Sequence, residues 1–402
     1  MNNDNISNLL GLEDFILEEV IKENDNLIIV GHIERKEHTC PRCACKTREV
    51  KDIRVQLIKD IPAFDKNVFI KLKKQRYICR HCKKSFLEDN SFLQKYQRTT
   101  NRVLDKIFKM TSEVNSFTFI ANELNIPITT LIRKFDLIEY PTQNFENVEV
   151  VAIDEFKGNT GGEKYNCIIA DAKEKIVLDI LPKRYKKDLE NYFYKVKSKN
   201  KQNIKYFISD MWRTYFDVAK SKFKNSKFVV DKYHFIRQCI WSFENVRKEE
   251  QKKFSSNKRI YFKRSKSLLK KRFEFLTDQE KQQVNNMLYL SENITTAYFL
   301  KEDFLKILEC NNSFEAKKIL KEWINFAKNC NLKHFQNCAK TYENWEIGIL
   351  NSFDTPYTNG YIEGCNNKIK VLKRNGYGYR NFERFRNRIL HIFNYKKINK
   401  IK

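Results

Sequence analysis

Three carboxylates stand at positions where folded chains hold metal ions. Asp154 lies within the apolar run Val-Val-Ala-Ile-Asp-Glu-Phe, Asp210 ends the segment Tyr-Phe-Ile-Ser-Asp, and Glu363 lies in a segment with a helical pattern. A charge inside an apolar strand costs free energy unless it is paired or bound to a metal. Phosphodiester cleavage by two metals needs acidic side chains that hold the ions roughly 3.5–4 Å apart. The pattern therefore predicts a site for two Mg²⁺ or Mn²⁺ ions that acts on a phosphodiester.

Other roles for these acids and their neighbours remain open. Asp210 could be a helix N-cap and not a metal ligand, since Asp is a preferred N-cap residue. Glu155 competes with Asp154, but successive strand side chains point to opposite faces, so only one of the two can face the site. Asp231 and His234 follow a further apolar segment. They could form a helix cap, lie beside a metal or stabilise the site.

The segment around Glu363 predicts a helix with one polar face. On a helix, side chains at i, i+3, i+4 and i+7 lie on the same side. Such a face can offer a metal ligand, amides and a cation to a scissile phosphate. The residues at this spacing are Glu363, Asn366, Asn367 and Lys370.

Two pairs of cysteines predict a zinc site. Cys40-Pro-Arg-Cys43 and Cys79-Arg-His-Cys82 are separated by 35 residues. Each C-x-x-C turn can direct two thiolates to one tetrahedral Zn²⁺, and four protein ligands close the site, so we expect one structural zinc. A redox pair or unrelated core thiols are the alternatives, and Cys45, His38 and His81 lie close enough in sequence to replace a ligand.

Two short amphipathic segments predict a helix-turn-helix. Ser116–Leu124 has one apolar face, Asn125 supplies a turn, and Pro127 suits the start of the next helix. The second helix would enter the major groove of DNA. An ordinary helical hairpin is the alternative, because short helix pairs occur in many folds. The second helix is predicted to expose Thr129, Thr130, Arg133 and Lys134 and to bury Ile128, Leu131, Ile132 and Phe135.

The chain after residue 147 predicts a mixed α/β core. Three successive strands indicate an antiparallel meander, and the order β-β-β-α-β-α-β-α is that of a ribonuclease H-like fold with a mixed five-stranded sheet. Residues 250–345 contain no Gly or Pro and predict an all-helical insertion. Strands are predicted at 148–156, 165–170, 175–181, 204–209 and 227–230, and helices at 186–196, 212–223, 233–248, 359–372 and 382–394.

These elements predict an α+β multidomain chain. Near its start, Glu13–Val20 is predicted as a short helix and Leu27–Val30 as a strand. The predicted domains are an N-terminal zinc-finger DNA-binding domain at 1–90, the helix-turn-helix with a linker at 91–147, the first part of the catalytic core at 148–249, the helical insertion at 250–345, and the last part of the core with the glutamate helix and a basic C-terminal tail at 346–402.

The charge balance points to a polyanionic partner. Lys and Arg number 77 and Asp and Glu 50, which gives a net charge of +27. Such a charge favours binding to nucleic acid, although a ribosome-associated or simply very soluble basic protein would also carry it. Residues 251–275 hold ten Lys or Arg, including Lys270, Lys271 and Arg272, and could clamp DNA or form a solvated face.

The sequence gives no indication of a membrane protein. No segment approaches the ~20 apolar residues of a transmembrane helix. Met1–Leu10 is polar and lacks the order of a signal peptide. We therefore expect a cytoplasmic protein without membrane partners.

Several of these motifs resemble the ISL-three family of insertion-sequence transposases, and the resemblance covers nearly the whole chain. Asp231-Lys-Tyr-His234 resembles the family's aspartate-histidine element. Ala44 and Cys365 are small departures, the first standing where the family often has glycine. The other matching motifs are Cys40-Pro-Arg-Cys43, Asp60-Ile-Pro62, Arg76-Tyr-Ile-Cys79, Ala152-Ile-Asp-Glu-Phe156, Thr358-Asn-Gly-Tyr-Ile-Glu-Gly-Cys-Asn-Asn-Lys-Ile-Lys370, Lys373-Arg374 and Gly376-Tyr-Gly-Tyr-Arg-Asn-Phe382.

The resemblance implies a bacterial DDE transposase with the triad Asp154, Asp210 and Glu363. Such an enzyme binds the terminal inverted repeats of its element, cleaves DNA with metal ions and joins the ends to target DNA. Lys373 and Arg374 are then expected to contact DNA. Because two ends must be brought together, at least a homodimer on DNA is expected, associated with the nucleoid. The alternatives are a non-catalytic DNA-binding regulator and a metal-dependent nuclease without strand transfer.

Overall fold

The computed structural model describes residues 11–12, 14–94, 96–141 and 145–398, with side chains to residue 395. Expectations for residues 1–10, part of the linker at 141–147 and the end of the basic tail fall outside these ranges. The chain divides into a first unit (residues 1–140, 370–379 and 383–402) and a second unit (residues 141–369 and 380–382). Within the described residues, no helix is long and apolar enough to cross a membrane.

The first unit contains a mixed sheet. The strands are β1 (Phe15–Glu23), β2 (Asn26–Ile33), β5 (Val50–Lys59), β6 (Asn67–Ile78) and β7 (Ser85–Leu87), and a separate pair is formed by β3 (His38–Thr39) and β4 (Lys46–Thr47). The order is β1-β2-β6-β5, with β7 paired to β6. Strands β2 and β6 run parallel, and the other neighbours run antiparallel. Buried apolar side chains such as Ile58 and Ile70 form the core against this sheet.

The prediction of a helix at Glu13–Val20 is wrong, because the chain from Phe15 onward belongs to strand β1. Phe15 and Leu17 are buried at alternate positions, as strand geometry requires. Asn24, with a φ of 49°, turns the chain into β2. Pairing with an apolar neighbour strand outweighs the local helix propensity of the glutamates. The strand predicted at Leu27–Val30 is confirmed within β2.

Three short helices follow the sheet: α1 (Asn101–Thr111), α2 (Phe117–Glu123) and α3 (Ile128–Phe135). The Ser116 hydroxyl accepts a hydrogen bond from the Phe119 amide and caps α2. Asn125, with a φ of 47°, turns the chain between α2 and α3. Burial of Leu131 and Phe135 is as predicted, but Ile128 is 40% exposed, because it opens α3 and no preceding turn covers it.

The last helix, α15 (Phe382–Ile398), supports these short helices through a buried cation. The Arg388 guanidinium is fully buried and donates to the carbonyl oxygens of Glu113 and Asn115, each at 2.8 Å. It also lies over the rings of Phe117 and Phe135. Since both carbonyls belong to the loop before α2, Arg388 fixes where α2 begins.

The second unit contains the other five-stranded sheet. Its strands are β8 (Val150–Phe156), β9 (Asn166–Asp171), β10 (Ile176–Leu181), β11 (Tyr206–Ser209) and β12 (Lys227–Val230). The order is β10-β9-β8-β11-β12. Strands β10, β9 and β8 are antiparallel, whereas β8, β11 and β12 run parallel. All five predicted strands are present, and their bounds shift by at most two residues.

Helices cover this sheet and extend it. They are α4 (Lys186–Tyr194), α5 (Ser198–Gln202), α6 (Arg213–Lys222), α7 (Lys232–Lys253), α8 (Ser256–Arg264), α9 (Lys266–Lys270), α10 (Asp278–Leu288), α11 (Glu292–Leu305), α12 (Ser313–Asn329), α13 (Lys333–Asn351) and α14 (Gly360–Asn375). Helix α7 begins directly after β12 and continues into the helical region. Residues 250–345 form helices and short connections, as predicted, and share one apolar core with the sheet.

Helix α13 returns to the sheet through a glycine. A Cβ at Gly348 would lie 2.8 Å from a methyl carbon of Val230 and 3.2 Å from the Phe228 ring. These distances are shorter than ordinary van der Waals contact, so only glycine lets α13 pack this closely on β12. The contact fixes the end of β12, where Asp231 follows.

Candidate functional site

Three aspartates lie on neighbouring parallel strands of the second unit. Asp154 is within β8, Asp210 follows the last residue of β11, and Asp231 follows the last residue of β12. The Asp231 amide donates to the Ser209 carbonyl oxygen at 2.9 Å, which extends the strand pairing to the aspartates. The parallel register therefore brings together residues that lie far apart in sequence.

Asp154 is held by two donors at its carboxylate. The Glu155 amide donates to Oδ1 at 2.8 Å, and the Asn366 side-chain amide donates to Oδ2 at 2.9 Å. Burial raises the pKa of Asp154 to about 7, and the nearby charge of Asp210 acts in the same direction. Near neutral pH this carboxyl group therefore still holds a proton part of the time.

Asp210 shares this environment. Burial, followed by the charge of Glu155, raises the pKa of Asp210 to about 7. Burial also raises the pKa of Asp231. Several acids confined in one buried place repel one another, so each favours its neutral form unless a cation enters.

Unpartnered oxygen atoms mark the same place. Among the aspartates and the asparagines that contact them, four buried side-chain oxygens have no hydrogen-bond partner in the described part of the chain: Oδ1 of Asp210, Oδ2 of Asp231, Oδ1 of Asn359 and Oδ1 of Asn366. Buried polar atoms are normally paired, and each exception calls for an explanation. Carboxylate and amide oxygens are suitable ligands for Mg²⁺ and Mn²⁺. The residues present therefore fit a divalent cation.

Glu155 has partners of its own. Its carboxylate forms an ion pair with Arg184 and accepts a hydrogen bond from the Tyr215 hydroxyl at 3.0 Å. The Arg184 guanidinium lies 4.5 Å from the ring centroid of Tyr165 and 4.9 Å from that of Trp212. Asp154 and Glu155 thus contact different groups, as strand alternation predicts. Sequence reasoning had not identified Arg184 or Tyr215, which no local motif marks.

Glu363 lies in the first turn of α14, near two other candidate ligands. One ligand atom each from Asp231, His234 and Glu363 lie within 4.8 Å of one another. Asp154 and Asp210 do not join Glu363 in such a close group within the described residues. Burial lowers the pKa of His234, which favours its neutral form.

The polar face predicted for the glutamate helix is divided in the structure. Asn366 is buried against Asp154, whereas the predicted accessory residues Asn367 and Lys370 are exposed. Glu363 is half-buried and Asn366 is buried, three residues apart on the inner side of the helix. Asn367 and Lys370, at i+4 and i+7 from Glu363, lie on its exposed side. Asn366, which shared the predicted face, is thus the residue that contacts an aspartate.

Asn359 is a site residue that sequence reasoning missed. It is fully buried, its amide donates to Asp231 Oδ1 at 3.1 Å, and its side-chain amide donates to the Ile153 carbonyl oxygen at 3.4 Å. Its carbonyl oxygen accepts from the Glu363 amide at 2.9 Å. The available signal was the Asn-Gly pair that opens the helix, a pattern that more often marks a turn.

The four cysteines of the two predicted knuckles converge in the first unit. Their sulfur atoms lie within 4.8 Å of one another, with Cys40 3.5 Å from Cys82 and Cys43 3.5 Å from Cys79. Four sulfurs around one Zn²⁺ at bonds of about 2.3 Å lie roughly 3.8 Å apart. The geometry fits one structural zinc. Burial opposes ionisation of Cys40, but hydrogen bonds outweigh it and lower its pKa to about 6.

The two knuckles have the same backbone geometry. Ala44 and Lys83, which follow the second cysteine of each pair, have φ values of 58° and 57°. Their amides donate to the carbonyl oxygens of Cys40 and Cys79 at 3.0 and 2.9 Å. This left-handed conformation is easiest for glycine, which explains the residue expected at position 44. Cys43, Cys45 and His81 form a second close group, so Cys45 and His81 lie beside the cluster.

The predicted DNA-reading residues lie on or near the surface of α3. Thr129 and Arg133 are exposed, and Thr130 is half-buried. Lys134 is also half-buried, and its ammonium group donates to the Gln97 side chain at 2.5 Å. Arg133 is therefore more accessible to DNA than Lys134.

The three cations predicted to clamp DNA all have carboxylate partners. Lys270 lies 3.5 Å from Glu244, and Lys271 lies 3.1 Å from Glu280. Arg272 forms ion pairs with Glu274 and Glu309 and is the least exposed of the three. These contacts tie the segment into the helical region. At the end of α14, Arg374 is exposed and Lys373 is half-buried.

Two family profiles match separate parts of the chain. A family profile of the ISL-three type, described as a transposase, matches residues 151–389. A second profile, described as the zinc-finger of transposase IS204/IS1001/IS1096/IS1165, matches residues 36–82. The first match contains the aspartates and the glutamate helix, and the second contains the four cysteines.

Individual relatives include two named transposases. The transposase for insertion sequence element IS1001 of Bordetella parapertussis is 24% identical over 355 residues, which cover 86% of each chain. The transposase for element IS1557 of Mycobacterium tuberculosis is 27% identical over 107 residues, covering 27% of this chain and 24% of its own. A Lactococcus lactis protein named as an ATP-dependent protease is 30% identical over 127 residues, covering 32% of this chain and 39% of its own.

Proposed function

The chain belongs to the ISL-three family of insertion-sequence transposases, and on this premise we propose that it is a DDE transposase in which Asp154, Asp210 and Glu363 carry the chemistry. The enzyme binds the terminal inverted repeats of its element, cleaves the DNA there and joins the freed 3′ ends to target DNA. One observation carries the proposal: Asp154 and Asp210 lie on adjacent strands among buried oxygens without partners.

In this proposal the acids hold two divalent cations, Mg²⁺ or Mn²⁺. When bound, such ions activate the attacking oxygen and stabilise the leaving oxygen of a phosphodiester. The amides of Glu155 and Asn366 orient the Asp154 carboxylate. Asp154 and Asp210, each with a pKa of about 7, give up their protons as cations bind.

We further propose a ribonuclease H-like fold for the catalytic core. The sheet order β10-β9-β8-β11-β12, with an antiparallel meander beside a parallel pair, supports this assignment. The proposed domains are those predicted at 1–90, 91–147, 148–249, 250–345 and 346–402.

DNA contacts are proposed on three surfaces. Helix α3 acts as the recognition helix of a helix-turn-helix, with Arg133 reading base edges and the polar residues beside it contacting the backbone. Exposed Arg374 and its neighbour Lys373 contact DNA near the end of α14. The segment 270–272 contacts the DNA that flanks the cleavage site. For this contact, the ion pairs of its three cations with carboxylates must break, or the cations must bind a carboxylate and a phosphate together. The remaining proposed contacts are Thr129, Thr130 and Lys134.

The proposed partner is double-stranded DNA, bound by at least two copies of the chain. Transposition joins two ends of one element, and each end needs a cleavage site. The net charge of +27 would oppose close association of two copies without DNA, and the phosphates offset it. Assembly on DNA is therefore favoured over assembly in its absence.

Product analysis on element-end DNA tests this function. The purified chain is incubated with Mg²⁺, labelled DNA carrying an end of its own element, and unlabelled target DNA. A transposase gives both a cleaved 3′ end and a longer product joined to target DNA. Cleavage without joining would identify a nuclease, and binding without either product would identify a regulator. Either of the last two results contradicts the proposal.

A further inference from the structure

A histidine and two carboxylates meet at the edge of the aspartate cluster. Asp231 is the residue between β12 and α7, His234 lies in the first turn of α7, and Glu363 lies in the first turn of α14. Ligand atoms from these three residues lie within 4.8 Å of one another. A cation centred among them would be no more than about 2.8 Å from each, so bonds of about 2.0–2.2 Å need only a small closure.

The backbone holds this arrangement from two sides. The His234 amide donates to the Asp231 carbonyl oxygen at 3.1 Å, and the Glu363 amide donates to the Asn359 carbonyl oxygen at 2.9 Å. The Asn359 amide in turn donates to Asp231 Oδ1 at 3.1 Å. Thus one hydrogen bond joins the start of α14 to the aspartate that precedes α7.

A buried atom without a partner points to a ligand at this place. Asp231 is only 4% exposed, and while Oδ1 accepts the Asn359 amide, Oδ2 has no hydrogen-bond partner within the described residues. A buried carboxylate oxygen left without a partner costs roughly 1–3 kcal/mol or more. In the described part of the chain Asp231 forms no ion pair with Lys or Arg, and no cation is among the causes of the shift in its pKa. A metal cation would satisfy the free oxygen.

We propose that Asp231, His234 and Glu363 bind one divalent cation through an imidazole nitrogen and two carboxylates, and that this position prefers Mn²⁺ to Mg²⁺. The proposal rests on the function proposed above and assigns the two metal ions of that site to different sets of ligands. Asp154 and Asp210 hold one ion, and Asp231, His234 and Glu363 hold the other. Glu363 then acts through a different ion from Asp154 and Asp210, which agrees with their separate grouping.

The ligand set determines the preference for a metal. Mg²⁺ demands oxygen ligands in near-ideal octahedral geometry and keeps several waters. Imidazole nitrogen suits transition metals, and carboxylates suit Mn²⁺ as well as Mg²⁺. His234 can offer such a nitrogen, because one of its ring nitrogens is among the three ligand atoms that lie within 4.8 Å of one another. A mixed nitrogen and oxygen site therefore favours Mn²⁺.

Pulsed electron paramagnetic resonance of bound Mn²⁺ tests the ligand directly. A coordinated imidazole adds a nitrogen modulation to the Mn²⁺ signal, whereas carboxylates and water do not. The full-length, zinc-loaded chain should show this modulation, and labelling its histidines with ¹⁵N should change the pattern without any substitution. Mn²⁺ that binds without nitrogen modulation would overturn the proposal.

Variants locate the nitrogen. His234→Gln should lose the modulation and weaken Mn²⁺ binding about tenfold or more, with Mg²⁺ binding changed much less. His334→Gln is the matched control, because His334 pairs with Glu249 on the surface of the helical region, and it should keep the signal. Asp154→Asn should also keep it. Modulation that persists in His234→Gln would refute the assignment.

The result can be separated from the function proposed above. If Asp154→Asn still cleaves DNA while wild type shows nitrogen modulation, the catalytic assignment fails and the cation site stands. If wild type cleaves and Mn²⁺ shows no nitrogen ligand, the reverse holds. Circular dichroism of His234→Gln checks its fold, and the ¹⁵N-labelled wild type decides the outcome if that variant unfolds.

Discussion

The raised pKa values of Asp154 and Asp210 favour a bound proton on each carboxyl group at the place where a metal ion is expected. Burial raises both pKa values to about 7, far above the usual value for aspartate. A carboxyl group whose pKa rises on folding binds its proton more tightly in the folded chain. Its contribution to stability is present at low pH and is lost as pH rises from about 4 through about 7. The same groups would make metal affinity rise with pH over this range.

This gives a prediction for stability without added divalent ions. Asp210→Asn should raise the free energy of unfolding at pH 8 by about 1–2 kcal/mol, because it removes a buried negative charge. At pH 5 the gain should largely disappear, since Asp210 is then protonated. Urea unfolding at both pH values measures the difference. Exposed Asp303→Asn, which loses only a pair with Lys306, is the control and should shift stability by less than about 1 kcal/mol at either pH.

At the residue scale the sequence indicates the acids but not the asparagines that form hydrogen bonds with them. Asp154 and Asp210 were identifiable because a charge in or at the end of an apolar strand is costly. Asn359 and Asn366 were harder to assign, because their contacts join segments about 130 and 210 residues apart in sequence. Only the parallel strand register and the return of α14 create those contacts.

At the scale of elements, separate parts of the chain position the two sites: the segment matched by the zinc-finger profile, residues 36–82, holds the four cysteines, and the packing of α13 positions the end of β12. Strands β3 to β7 carry the cysteine knuckles together, whereas α13 fixes β12 through Gly348. Sequence patterns located most strands and helices of the second unit, because apolar periodicity reports burial. They failed at β1, where pairing with β2 overrides helix propensity.

The fold of residues 36–82 should depend on a bound zinc ion. Cys79→Ser should reduce bound zinc from one equivalent to near zero and unfold residues 36–82, because structural zinc contributes folding free energy directly. The second unit should stay folded. Metal analysis together with limited proteolysis measures both effects. Cys45→Ser is the matched control and should retain zinc, and loss of zinc there instead would mean that Cys45 is the ligand.

Helix packing offers a second test at this scale. Gly348→Ala should destabilise the chain by about 1–3 kcal/mol, because its methyl group would lie 2.8 Å from Val230. Gly364→Ala, in helix α14, has no atom within 4 Å of the added carbon and should stabilise by about 0.5–1 kcal/mol. Urea unfolding of both variants checks the contrast. Equal effects would contradict the tight packing of α13 on β12.

At the scale of the whole molecule, charge and modular recognition combine. The net charge of +27 is expected to favour binding to any DNA, and α3 is proposed to add sequence preference. The total charge can be calculated from the composition, but the composition does not show which Lys and Arg side chains have carboxylate partners in the fold. Lys270, Lys271 and Arg272 look like one basic patch in the sequence, yet the fold supplies each with a carboxylate.

Arg133 should separate specific from general binding. Arg133→Ala should weaken binding to element-end DNA by about 1–3 kcal/mol and reduce discrimination against unrelated DNA, as expected for a residue that reads bases. Lys134→Ala should have a smaller effect, because that side chain is engaged with Gln97. Competition binding at two salt concentrations measures both. Wild-type binding by Arg133→Ala would show that α3 is not the recognition helix.

The central claim is that Asp154 belongs to the catalytic triad and that its neighbour Glu155 does not. The most direct test compares strand transfer by Asp154→Asn and Glu155→Gln on element-end DNA with Mg²⁺, with binding measured in parallel. Asp154→Asn should bind DNA but give no cleaved or joined product. Asp210→Asn and Glu363→Gln should do the same, and double variants should be no worse. Glu155→Gln should retain activity within about tenfold. Cleavage by Asp154→Asn, with activity lost in Glu155→Gln, would contradict the account.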